Sequence, residues 1–137
     1  WKKIGSKVDI MDAKQHDYIL SITSHMPHLI AYNIVNTTLN VQDKKESDIV
    51  KYSAGGLRDF TRIAASNPIM WRDVFIQNKK NTSNMIDNFI ANLEDLKKAI
   101  ENEDGKKLEE IFTKTKKIRK EIVKAGQDVG KPDFGRK

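Results

Sequence analysis

Met85-Ile86-Asp87-Asn88-Phe89-Ile90-Ala91-Asn92-Leu93-Glu94-Asp95-Leu96-Lys97-Lys98-Ala99-Ile100 decides the fold class. Its apolar residues Met85, Ile86, Phe89, Ile90, Leu93, Leu96 and Ile100 recur at intervals of three and four, the period of a helix with one apolar face. At about 1.5 Å per residue the stripe runs roughly 25 Å. Beyond a break at Asp104-Gly105 the pattern resumes with Leu108, Ile111, Phe112, Thr115, Ile118 and Ile122. Glu109 and Glu110 lie in its early turns and Lys120 and Lys124 near its end, matching the helix dipole, and Gly126 is expected to stop it. Stripes of this length belong to helices that pack on other helices, so the chain reads as all-α.

Upstream, Asn67-Pro68 is a helix start, with Asn as N-cap and Pro at the first helical position. The helix it opens carries Ile69, Met70, Trp71, Val74 and Phe75, of which Met70 and Phe75 are assigned to the core. Asp12 caps a longer helix from Ala13, whose apolar residues run from Tyr18 and Ile19 to Ile34 and Val35. Pro27 lies inside it, removes a backbone donor and predicts a kink near Thr23. A polar loop spans Asn40 to Glu46. Ser47 can cap a short helix through Tyr52, which Gly55-Gly56 breaks, permitting positive φ or close approach of another backbone. A short turn or helix through Ile63 and Ala64 follows.

Residues 1–12 read differently. Lys7-Val8-Asp9-Ile10-Met11 alternates polar and apolar residues as a strand does, after a helix exit at Ile4-Gly5-Ser6 with Gly5 as cap. A lone strand leaves its backbone groups unpaired, so this one reads as the end of a sheet whose other strands are absent. The division expected is a remnant at 1–12, a helical domain at 13–124 and a polar tail at 125–137.

The composition agrees with one globular domain: 137 residues, 38% hydrophobic and 32% charged, enough to bury roughly two-thirds of the unfolded surface. No apolar run approaches the roughly 20 residues of a membrane span, and no secretory signal opens the chain. Zero cysteines exclude disulfides and thiolate metal sites and fit a reducing compartment, so a cytoplasmic location is the default. The net charge of +6 invites nucleic acid, but the lysines alternate with acids along the helices, which describes a solvated face rather than a phosphate-binding stripe. The first residue is Trp, so a processed, cloned or truncated product is expected.

Two polar clusters interrupt the helical pattern. In Ser24-His25-Met26-Pro27-His28 the histidines are three apart and share one side of a helix. They could ligate a metal, but no third ligand is in view. Packing within the bundle is the plainer role, and a Ser–His nucleophile lacks an orienting acid. In Gly55-Gly56-Leu57-Arg58-Asp59-Phe60-Thr61-Arg62 two guanidiniums stand one turn apart, each a planar fork for a carboxylate or phosphate. An Asp59–Arg62 ion pair tying a loop to a helix is the competing explanation. Trp71 taken alone belongs to the core.

Together these segments carry a resemblance. His16-Asp17-Tyr18, Ser24-His25-Met26-Pro27-His28-Leu29-Ile30-Ala31, Gly55 through Ala64 and Asn67-Pro68-Ile69-Met70-Trp71 resemble, in that order, the C-terminal domain of prephenate/arogenate dehydrogenases, over roughly residues 1–124. Leu57 stands where that family usually has an aromatic and Met26 where leucine is common. The resemblance implies a helical dimerisation domain like that of 6-phosphogluconate dehydrogenases, following a Rossmann domain that binds NAD or NADP. It implies oxidative decarboxylation of prephenate to 4-hydroxyphenylpyruvate, or of arogenate to tyrosine. By the same resemblance Arg62 would bind a substrate carboxylate, and His28 and Ser24 would line the substrate or product-tyrosine pocket. Trp71 would pack near the ligand, Asp59 and Gly55 would shape the loop holding Arg62, and His16 and Asp17 would begin the interdomain helix. Tyrosine is a candidate inhibitor.

No GxGxxG fingerprint follows a strand in this chain, and no βαβ unit could hold one. The expectation is therefore a homodimeric fragment that grips substrate, holds no cofactor or metal, contributes no catalytic residue and is inactive alone. A stand-alone helical dimerisation or ligand-binding module without catalysis is the alternative, and a basic nucleic-acid binder a third reading. Neither nucleic acid nor membrane is expected as a partner.

Overall fold

A computed structural model describes residues 1–5, 8–40 and 52–127, with the backbone alone at 39, 40, 126 and 127. Among these residues all regular structure is helical and there is no strand. The starts at Ala13, Pro68 and Gly105 are set by side-chain caps. The Asp12 carboxylate accepts from the N–H groups of Lys14 and Gln15 at 2.9 and 3.1 Å and opens α1, Ala13–Leu20. Asn67 does the same for Ile69 and Met70 at 2.9 and 3.1 Å, with Pro68 next, and opens α4, Pro68–Gln77. Each such cap satisfies donors that a helix cannot pair internally.

Between α1 and α2, Met26–Asn40, lies a single π turn, Ser21–His25, in which the Met26 N–H reaches back to the Ser21 carbonyl. The disturbance expected from Pro27 takes this form: proline cannot donate to the Thr23 carbonyl, and the backbone relaxes by widening one turn. The helix continues instead of ending.

The segment after residue 51 departs from the sequence reading. Gly55-Gly56 does not break a helix but begins one, α3, Gly55–Thr61, followed by a 3-10 turn, Arg62–Ala65. Neither has positive φ; of the glycines among the described residues only Gly5 does, at 85°, closing a 3-10 turn at Lys2–Ile4. Two glycines without side chains are compatible with a helix N-terminus, where few intrahelical bonds are yet made. Of the loop expected from Asn40 to Glu46, Asn40 instead ends α2 and 41–46 lie outside the described residues, as does most of the short helix expected after Ser47. Val8–Met11 forms no strand, because no other strand is present among the described residues to pair with it.

α5, Lys79–Glu101, and α6, Gly105–Ile122, carry the two long stripes. Their junction is a Schellman motif: the Glu103 N–H donates to the Ile100 carbonyl and the Asp104 N–H to that of Ala99, with Glu103 at φ 53°. Asp104 then caps α6 by accepting from the Lys107 N–H at 2.9 Å. Gly126 does not stop the helical backbone, which continues as a π turn over Val123–Gln127.

The chain divides into two units, Trp1–Phe89 and Ile90–Lys137. In the first, Ala31 and Trp71 are buried, and Met26, Leu29 and Ile30 of α2 surround a void of about 10 Å³ with Thr82, Met85 and Ile86 of α5. In the second, Ala99 is buried and Leu96, Leu108 and Ile111 are half-buried, while Ile90, Leu93, Ile100, Phe112, Ile118 and Ile122 are exposed. The described core is smaller than the composition implies. Met70, assigned to it from sequence, is exposed, standing about 100° around α4 from the buried Trp71.

Candidate functional site

The π turn and α2 present Ser24, His28 and Tyr32 at intervals of four, one above the other on a helix face. The His28 ring lies on the Trp71 ring with centroids 3.8 Å apart and planes inclined 24°. Its Nδ1 is 2.9 Å from the Ser24 carbonyl. A carbonyl only accepts, so Nδ1 donates, and in the neutral ring Nε2 is left as an acceptor. One turn on, the Tyr32 hydroxyl donates to the Ser66 carbonyl at 2.8 Å, tying α2 to the residue just before the α4 cap. The 3-10 turn carrying Arg62 also packs on α2, and the Arg62 side chain is exposed.

His25 lies deeper, with 7% of its surface exposed. Its ring meets Trp71 and Phe75 edge-on at 6.2 and 6.5 Å, and the Trp71 and Phe75 centroids are 5.4 Å apart. Asn78 Nδ2 lies 3.2 Å from its Nδ1. Burial pushes the His25 pKa below the ordinary histidine value; Asp17 acts in the opposite sense, and His16 and His28 lower it further. Trp71 Nε1 is buried and has no hydrogen-bond partner among the described residues.

A cleft of about 350 Å³ opens beside this cluster, with His16, Asp17 and Leu20 of α1 on one side and Val74, Gln77 and Asn78 on the other. His16 Nδ1 is 3.1 Å from Asp17 Oδ1, and both side chains are about half exposed. A larger groove, about 560 Å³, lies along Lys106, Glu110, Lys114 and Lys117 of α6, where no residue singled out from sequence falls.

The structure thus joins His28 to Trp71 directly, Ser24 to His28 through a carbonyl, and His25 to both Trp71 and the His16–Asp17 cleft. Gly55 and Asp59 stand on α3 rather than in a loop, since the segment is helical from Gly55 onward. Arg58 Nε and Asp59 Oδ1 are 3.9 Å apart and exposed, so this contact contributes little to stability. No group of three His, Asp or Glu side chains suited to a metal ion occurs among the described residues. No helix among them is long and apolar enough to cross a membrane.

Sequence reasoning missed Tyr32 and Asn78. Tyr32 was recoverable, being one turn beyond His28. Asn78 was not, because its partners at Asp17 and His25 are 61 and 53 residues away.

Comparison with known proteins gives the family. Residues 12–114 match the family described as prephenate dehydrogenase, dimerization domain. The chain is 40% identical over 119 residues to cyclohexadienyl dehydrogenase of Zymomonas mobilis, covering 87% of this chain and 41% of that protein. It is 34% identical over 109 residues to prephenate dehydrogenase of Bacillus subtilis, covering 80% and 29%. Its structure resembles that of A. aeolicus prephenate dehydrogenase in complex with hydroxyphenyl propionate and NAD+, with TM-score 0.81 and 41% identity over 89% of this chain and 42% of that one. Synechocystis arogenate dehydrogenase shares the fold at TM-score 0.75 and 20% identity, covering 88% of this chain and 44% of that one. The chain spans less than half the length of each. With both polar clusters inside the matched residues, the chain belongs to the prephenate dehydrogenase dimerization-domain family.

Proposed function

We infer that this chain is the substrate-gripping and dimer-forming part of a prephenate or arogenate dehydrogenase, which oxidatively decarboxylates its substrate with NAD or NADP as hydride acceptor. The observation that carries the reading is the His28–Trp71 stack on α2, the helix on which the turn carrying Arg62 also packs. Stacked rings make a flat wall for a six-membered ring. His28 Nε2 is an acceptor for a hydroxyl or amine, and a guanidinium is suited to a carboxylate. The ligand named in the A. aeolicus complex, hydroxyphenyl propionate, has this chemistry of ring, hydroxyl and carboxylate. The dinucleotide would be held by residues other than these, since the chain has no Gly-rich fingerprint after a strand.

The test is a titration of hydroxyphenyl propionate or prephenate into a Trp1→Phe background, which leaves Trp71 as the one indole. Saturable change in its fluorescence is expected. Arg62→Gln should weaken binding about tenfold or more, the worth of a charge-assisted hydrogen bond, and Trp71→Leu should weaken it too. No saturable binding by the parent chain would defeat the reading. Reduction of NAD(P) with prephenate by the purified chain would defeat the assignment of hydride transfer to other residues.

A further inference from the structure

Asn78 stands at the junction of α4 and α5 with only 8% of its surface exposed. Every polar atom of its side chain is engaged. Nδ2 donates to the Asp17 carbonyl at 2.7 Å and faces His25 Nδ1 at 3.2 Å, while Oδ1 accepts from Asn81 Nδ2 at 2.8 Å. These partners fix which way the amide points. Turned over, Oδ1 would face the Asp17 carbonyl and Nδ2 would face the Asn81 amide nitrogen, setting two acceptors and two donors against each other. With the amide so oriented, His25 Nδ1 must accept, and the neutral ring carries its proton on Nε2. His28, three residues on, donates from Nδ1 to Ser24, so the two neutral histidines hold opposite tautomers.

We propose that Asn78 is a positioning residue: it holds His25 in the Nε2–H form and in the plane from which the ring supports Trp71 beneath His28. The role of that stack in gripping substrate rests on the preceding reading, whereas the tautomer does not. A proton added at Nδ1 would have to displace the Asn78 donor, within a shell formed by Trp71 and Phe75. The charged or titratable groups acting on His25 are Asp17 and His16 of α1 and His28 of α2. From α4 and its junction with α5 it meets Trp71, Phe75 and Asn78, none of which carries charge.

The experiment is nitrogen-15 NMR of the imidazole rings in the 137-residue chain across pH, on the parent, Asn78→Asp and Asn78→Leu. In the parent, His25 should show a bare Nδ1 and a protonated Nε2, and should ionise only below the ordinary histidine range. Asn78→Asp, nearly isosteric, should move the His25 proton to Nδ1 and raise its pKa, because a carboxylate accepts and attracts the imidazolium. Asn78→Leu should release the ring to both tautomers and reduce the upfield ring-current shift of the His28 ring protons over Trp71. It should also weaken hydroxyphenyl propionate binding by about threefold to tenfold, the worth of one neutral hydrogen bond. A parent His25 protonated on Nδ1, or titrating like a free histidine, overturns the proposal without any variant. So does Asn78→Asp that folds and leaves both tautomer and pKa unchanged. Tautomers as expected with no binding by the parent support the role of Asn78 and overturn the functional reading instead.

Discussion

His25 and His28 are the same residue type three positions apart, yet their surroundings give them different chemistry. His28 lies flat on Trp71 and is half-buried; His25 meets the same indole edge-on and is buried. Loss of hydration disfavours the charged ring, which is why the His25 pKa lies below its ordinary value. The consequence for stability has a definite sign. The unfolded chain takes up a proton at His25 near pH 6.5, the folded chain only at lower pH. Above about 6.5 both are neutral there and this contribution is whole; as pH falls below that value the unfolded state binds more protons and stability declines, levelling off below the folded pKa. Urea denaturation at intervals from pH 7.5 to 5 should show this decline, and His25→Gln should flatten it.

At the level of elements, the helices are held in place by their ends. Asp12, Asn67 and Asp104 each turn a side-chain oxygen onto backbone donors, and each is a residue type that does so by its short reach. The exit from α5 is less favourable. Glu103 occupies the left-handed conformation at φ 53°, where its Cβ crowds the backbone and glycine would not. Glu103→Gly should raise stability by about 1 kcal/mol, read as a higher urea midpoint with unchanged slope. The π turn at Ser21–His25 is the other irregularity, and it falls between the α1 cleft residues His16 and Asp17 and the stacked His28. One wide turn therefore sets the angular offset between the two halves of the candidate site.

For the molecule as a whole, the second unit leaves Leu93, Ile100, Phe112 and Ile118 exposed on α5 and α6. An apolar surface of this kind is the usual mark of an interface, and the family is named for dimerization. Sedimentation at micromolar concentration should give a dimer. Phe112→Asp should shift it toward monomer, since burying an unpaired carboxylate at such a contact is costly. Retention of helix by circular dichroism would separate lost association from lost folding.

The sequence by itself determined the long helices, the caps at Asp12 and Asn67, the break at Asp104-Gly105, and the family to which the pattern belongs. These are local properties: capping acts over three residues and amphipathic periodicity over a turn. The clusters around His28 and Arg62 were visible for the same reason, as short runs out of keeping with a core stripe. Only the tertiary structure decided that Gly55-Gly56 starts a helix, that Pro27 is absorbed by a π turn, and that Asn78 reaches across 53 residues to His25. Each of these depends on which backbone and side-chain groups from distant parts of the chain come within hydrogen-bonding or packing range. Spacing along the chain does not encode that distance, and a histidine's tautomer is set by the partner it finds there.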